Sequence, residues 1–273
     1  PPSPSPSPPA PRPPPPQPSP PRPPAPPSPP APPSPPPPPP VNWLDVWILA
    51  GGSNVVGENG DWDGENYPDG IPDCGKPRPS KILQWSVNKQ DWIPANHQVH
   101  GIGYFNQDPS TQMGVDITFA RTLIDSGMSS RVGLVPMAMG GTNMFANWLP
   151  AMYGQYQTMI KETVKAMAAA GHTARLRGMM IILGEGDAMY INNFPTTYNP
   201  AGMFWSGQFG VLMKNMIETA RQDLAPYNSL LPVTIALQAI TNRDRVFPFL
   251  GVVREQIAAL DLPNLVKGDM EGC

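Results

Sequence analysis

From residue 44 onward the apolar residues follow two rhythms. Short, largely apolar runs read as buried strands: Val46–Ala50, Ile82–Trp85, Arg131–Met139, Met179–Leu183, Leu231–Gln238 and Leu265–Val266. Between them lie stretches with helical spacing. Residues 114–126 place Val115, Ile117, Phe119, Leu123 and Ile124 on one face and close at Gly127. Residues 151–170 put Met152, Tyr156, Met159, Ile160, Val164 and Met167 on one face. Two more helices are expected across residues 202–224 and 243–260, and residues 57–80, rich in Gly, Asp, Asn and Pro, read as a long surface loop. Strands alternating with helices of this length imply an α/β fold. The expected architecture is a three-layer α/β/α sandwich around a mostly parallel sheet. Such sheets bind ligands at the carboxyl ends of their strands.

Residues 1–40 have no such rhythm. They hold 28 of the 42 prolines and 6 serines, with Arg12 and Arg22 as the sole charges. Proline fixes φ and removes a donor, so this tail is expected to be an extended polyproline II segment that builds no core. Two domains follow: a proline-rich tail, 1–40, and a body, 41–273, long enough for one sizeable core. The formal charge is −3, which leaves the body at −5 and excludes a nucleic-acid binder driven by bulk charge. No run approaches the ~20 apolar residues of a membrane span. No metal-ligand pattern or cofactor motif is present, so neither is expected. His97 and His100 stand three apart without an apparent third ligand, and His172 follows a helix end, so all three read as structural or surface residues.

The chemistry sits in the Gly-rich turns after the strands. Gly51-Gly52-Ser53-Asn54, Gly140-Gly141-Thr142-Asn143 and Gly184-Glu185-Gly186-Asp187 are expected to converge on one rim. Ser53 follows a buried strand through two glycines. A serine nucleophile needs such a turn, because its hydroxyl must stand clear of the sheet. The same turn also suits a helix cap or a phosphate-cradling loop. Glu185 and Asp187 read either as an acid/base pair of a glycosidase or as structural ties between rim loops. Cys74 and Cys273 are an even pair and candidates for a disulfide.

These blocks resemble, in order, the sialate O-acetylesterase domain. This is carbohydrate esterase family 6 of the SGNH hydrolases, which includes acetylxylan esterases. The resemblance rests on Trp47–Asn54, Val132–Pro136, Gly140-Gly141-Thr142 with Trp148, and Gly184–Asp187, with Phe119-Ala120-Arg121 and Val253–Gln256 fitting as well. It implies a flavodoxin-like sheet with Ser53 as nucleophile and the N–H groups of Ser53 and Gly114 as oxyanion donors. It further implies a substrate rim of Asn54, Gly141, Thr142, Asn143, Glu185 and Asp187, and an acetylated polysaccharide or glycan as partner. The chain departs from that pattern at three places. Leu183 stands where the family has an oxyanion glutamine, and Gly52 where it has another glutamine. The family's Asp-x-x-His is matched by Asp269-Met270-Glu271-Gly272, without the histidine. Either the base lies beyond Cys273 or the domain is a weak or inactive member.

The tail reads as a plain semi-rigid spacer or, in a cytosolic setting, as a ligand for SH3 or WW modules; by composition it resembles the hydroxyproline-rich glycoproteins of plant and green-algal cell walls. That implies a secreted, extracellular-matrix or cell-wall protein with O-linked sugar on prolines and serines such as Pro4, Ser5, Pro6, Pro29 and Pro36. It also implies self-assembly, or contact with other wall or fibre glycoproteins, through the tail. The alternative function is therefore a structural glycoprotein whose folded domain is a non-catalytic head.

Overall fold

The structure, a computed structural model, describes residues 42–57, 71–97, 99–100, 113–152, 154–189, 200–239 and 247–270. The expected polyproline II tail, residues 1–40, lies outside these residues. β1 (Leu44–Gly51) is the central strand, buried along almost its whole length. Its apolar run suits a position with neighbours on both edges and helices on both faces. β4 (Val132–Pro136) pairs with it in parallel on one side, and β5 (Ala174–Ile182) on the other. Outside β4 lie β2 (Ile82–Ser86) and then β3 (Asp91–Pro94), and outside β5 lie β6 (Val233–Leu237) and β7 (Leu265–Asp269). The sheet thus has seven strands in the order β3-β2-β4-β1-β5-β6-β7. All neighbouring pairs are parallel except β2 with β3, an edge hairpin.

The pleat of β1 divides the core into two. Val46, Ile48 and Ala50 face a cluster shared with α3 (Gln155–Ala170), α5 (Pro200–Asp223) and α7 (Leu250–Ala258). Leu49 faces the other cluster, with α1 (Ser53–Val56) and α2 (Asp116–Asp125). The result is the expected α/β/α sandwich. Two short helices, α4 (Glu185–Ala188) and α6 (Ala225–Asn228), a π-helical turn at Met144–Trp148 and 3-10 turns at Asp73–Gly75 and Gly171–Thr173 complete the described elements. Among the described residues no helix is long and apolar enough to cross a membrane.

Two helix expectations need correction. α3 begins at Gln155, not 151, and its buried face is rotated. Met152 and Val164 are exposed, whereas Glu162, Thr163 and Ala166 are buried beside Tyr156, Met159 and Met167. A carboxylate lies in that face because Trp85 Nε1 and Gln90 Nε2 donate to Glu162 at 3.0 Å and Lys165 Nζ at 2.8 Å. The last helix begins at Leu250, while residues 243–246 of its expected span lie outside the described residues. β3 was not expected either: its four residues alternate too briefly to stand out.

Candidate active site

β1 ends at Gly51 with φ +147°, and a Cβ there would lie 2.1 Å from the Ile182 carbonyl oxygen. Only glycine allows that close crossing of β1 and β5. Gly52 N–H donates to the same carbonyl at 2.9 Å, and the chain then turns into α1 with Ser53 as its first residue. Ser53 is half-buried. As the first residue of a helix its N–H has no carbonyl one turn earlier to bond. Gly114 lies against this turn: a Cβ on it would come within 2.4 Å of the Val55 carbonyl oxygen. The structure thus sets Gly114 against α1, with its nitrogen 2.4 Å from where a Cβ on Gly57 would be, one helical turn on from Ser53.

The other two turns join it through side chains. Asn54 Nδ2 donates to Glu185 Oε1. Gln238, just past β6, donates to Glu185 Oε2 at 2.6 Å. Glu185 thus spans the carboxyl ends of β1, β5 and β6. Asp187, buried, accepts the Met144 N–H at 2.9 and 3.1 Å, and Ser206 Oγ donates to its main-chain carbonyl at 2.8 Å. Burial pushes its carboxyl up to about 7, against the Met144 and Phe145 amides that favour the anion. Asn143 caps the π-helical turn through the Ala146 N–H at 2.8 Å. Thr142 Oγ1 donates to the Met139 carbonyl and accepts from Trp148 Nε1 at 3.1 Å. Gly141 is exposed in the left-handed region, φ +69°. Both carboxylates are engaged in tying turns together, which is the structural alternative read from the sequence. A cavity of about 430 Å³ opens beside α1, lined by Val56, Pro136, Met139, Gly140, Gln155 and Thr158 among others. Gln238 was not singled out from the sequence: it looks like the polar end of a strand, and its partner is 53 positions away.

Leu183 is buried, and its Cδ1 lies 3.9 Å from where a Cβ on Gly52 would be. The two positions where the family pattern calls for glutamine are thus neighbours in space. An apolar side chain and a bare backbone meet there, and neither side chain can donate to an oxyanion.

The histidines have other partners. His97 Nε2 lies 2.6 Å from the Gly75 carbonyl oxygen. The His100 side chain is buried at the wall of the cavity beside α1, with Nδ1 accepting the Ala138 N–H at 3.2 Å and Nε2 facing Asp116 at 4.0 Å. His172 precedes β5, at the amino ends of the parallel strands, whereas Ser53 lies at their carboxyl ends. Asp269, at the end of β7, accepts from Arg254 Nη2 at 2.5 Å; Glu271 and Gly272 lie outside the described residues. Cys74 is an exposed free thiol, and its candidate partner Cys273 lies outside the described residues, as do the tail prolines and serines. Among the described residues no group of three or more His, Cys, Asp or Glu could hold a metal ion.

A family model described as carbohydrate esterase, sialic acid-specific acetylesterase, matches residues 43–273. Among solved structures, a protein of Arabidopsis thaliana is similar at 24% identity with a TM-score of 0.65, over 85% of this chain and 87% of that one. NanS is similar at 19% identity with a TM-score of 0.62, over 85% of this chain and 79% of that one. At these identities the two structures speak for the fold. No curated protein matches the chain.

Proposed function

This chain belongs to the carbohydrate esterase family of sialic acid-specific acetylesterases, and from there we propose that residues 41–273 form a carbohydrate O-acetylesterase domain with Ser53 as its nucleophile. Ser53 Oγ attacks the acetyl carbonyl, and the N–H groups of Ser53 and Gly114 hold the oxyanion. The sugar hydroxyl leaves with a proton, and water then releases acetate from the acyl-serine. Asn54, Gly141 and Asn143 form the rim that receives the acetylated glycan, and the buried Thr142, Glu185 and Asp187, expected on that rim, instead tie its turns together from below. The observation that carries this reading is the meeting of the Ser53 turn, Gly114 and Glu185 at the carboxyl ends of β1 and β5.

Turnover by this chain is weak in our reading. Leu183 removes a donor worth roughly 100–1000-fold in rate, and no described histidine bonds Ser53 to take its proton. The buried Leu183 also favours a second reading, a folded head that binds glycan without turnover. We further propose that the protein acts outside the cell, with residues 1–40 as an O-glycosylated stalk. Its partners there are acetylated polysaccharide and, through the stalk, wall or fibre glycoproteins.

Acetate release from an acetylated oligosaccharide tests the first reading. Slow release is expected, abolished in Ser53→Ala and raised roughly 100-fold in Leu183→Gln. Release that persists in Ser53→Ala overturns the assignment of the nucleophile. Glycan binding with no release in either the native chain or Leu183→Gln establishes the non-catalytic head.

A further inference from the structure

His100 and Asp116 are buried, with side chains 0% and 1% exposed, and neither is used in the chemistry above. His100 Nε2 and Asp116 Oδ2 face each other at 4.0 Å, and among the described residues neither atom has a hydrogen-bond partner. Unpaired buried polar atoms are costly, so a facing pair of them calls for an explanation. The other atom of each group is committed. His100 Nδ1 accepts from the Ala138 N–H, so the neutral ring carries its proton on Nε2. Asp116 Oδ1 accepts the Ile117 N–H at 2.6 Å.

The pair closes a circuit around the Ser53 turn. Met137 N–H and Met139 N–H donate to the carbonyls of Leu49 and Gly51, so the segment holding Ala138 is fixed to the end of β1. Ala138 holds His100, and His100 faces Asp116. Asp116 Oδ2 lies 3.2 Å from where a Cβ on Gly114 would be. Gly114 in turn rests on Val55 of α1.

We propose that His100 and Asp116 are positioning residues, a buried N–H to carboxylate tie that sets the place of the Gly114 amide against the Ser53 turn. The use of that amide as an oxyanion donor rests on the esterase reading; the tie itself does not. Among the described residues no other charged group acts on either member, and the neighbours from α1, α2 and β4's exit are Val56, Ile117 and Ala138. Burial pushes Asp116 up to about 7 and His100 down to about 3, so near neutrality Asp116 is the member that titrates. When Asp116 is protonated, two protons compete for one gap and it stays open. When it ionises, Oδ2 accepts the Nε2–H and the tie closes.

The test is the backbone amide resonance of Gly114, followed by ¹H–¹⁵N NMR of the full chain between about pH 5 and pH 9. It is expected to move with a midpoint below about 7, the value that burial gives Asp116 without the His100 donor. The movement is expected to vanish in the isosteric Asp116→Asn. It is expected to persist in His100→Gln, which still accepts from Ala138 and donates to Asp116. In His100→Leu the midpoint is expected to rise, because the donor to the anion is gone. A flat Gly114 resonance, a titration unchanged in Asp116→Asn, or a midpoint unmoved in His100→Leu overturns the tie; if Asp116→Asn does not fold, the His100→Leu midpoint decides. Acetate release measured on the same samples is expected to lose kcat in His100→Leu and recover it in His100→Gln, with KM unchanged. If the native chain releases no acetate, the esterase reading fails while the NMR result still stands.

Discussion

Asp187, Asp116 and His100 frame the candidate site, and in each, burial favours the uncharged form. Burial raises the two aspartates to about 7 and lowers His100 to about 3. The signs oppose each other. A raised aspartate keeps, in the folded chain, a proton that the unfolded chain has lost. Its contribution to stability is fully present below the ordinary value of 3.8 and is lost as the pH rises through about 7. A lowered histidine contributes fully above its ordinary 6.5, and that contribution is lost as the pH falls toward about 3. Between these ordinary values two aspartates outweigh one histidine. The trio therefore lowers stability as the pH rises, by about 1.4 kcal/mol per pH unit for the one uncompensated proton. His97, also lowered by burial, adds a second opposing proton, so the Asp187 contribution is read by difference: the Tm of Asp187→Asn relative to that of the native chain is expected to rise from about pH 4.5 to about pH 6.5. A slope unchanged in the variant means that Asp187 is already ionised in the folded chain. Ser53, Asn143 and Asp187 could be singled out in the sequence because each sits in a Gly-rich turn after an apolar run. Asp116 could not, and His100 stands out only as a neighbour of His97, since what distinguishes the two is facing each other in the fold.

The elements around the site owe their placement to a few polar contacts inside apolar layers, and α3 shows this best. Its buried face carries Glu162, which holds the indole N–H of Trp85 from β2 and Gln90 from the β2–β3 turn. Burial alone would push this carboxyl up, but Lys165, Trp85 and Gln90 together hold it below its ordinary value. Removing it leaves a buried indole N–H unpaired. Glu162→Ala is expected to cost about 2–4 kcal/mol in denaturant unfolding, and Glu162→Gln, which keeps an acceptor, clearly less. Equal losses in the two variants would mean that packing, not the hydrogen bonds, is what Glu162 supplies. The same residue explains where sequence reading went astray. A purely apolar stripe through Met152, Ile160 and Val164 competes with the true face, and only a partner on another element makes a carboxylate an inward-facing residue. The central strands β1, β4 and β5 were legible because burial on both faces leaves a continuous apolar run. The edge strand β3 was not, because half-burial over four residues leaves no pattern to count.

At the scale of the whole molecule the chain divides by composition at residue 40, and the two parts obey different physics. The body buries a core on both faces of its sheet. The tail, with 28 prolines and 6 serines in 40 residues, has almost nothing apolar to bury and few donors to satisfy. Conformation does not discriminate between a plain spacer and a wall glycoprotein, because a bare proline helix and a glycosylated one are both extended. Covalent chemistry does. Hydroxylated proline gains an oxygen to which sugar attaches, while the body has no Asn-x-Ser/Thr acceptor, so added carbohydrate should map to residues 1–40 alone. Intact-mass and peptide-level measurements on protein from its native source are expected to find hydroxyproline there, with O-linked pentose or hexose. The same material is expected to lose that added mass when the tail is removed by proteolysis near residue 41. An unmodified tail would remove the wall-glycoprotein reading and leave residues 1–40 as a plain spacer.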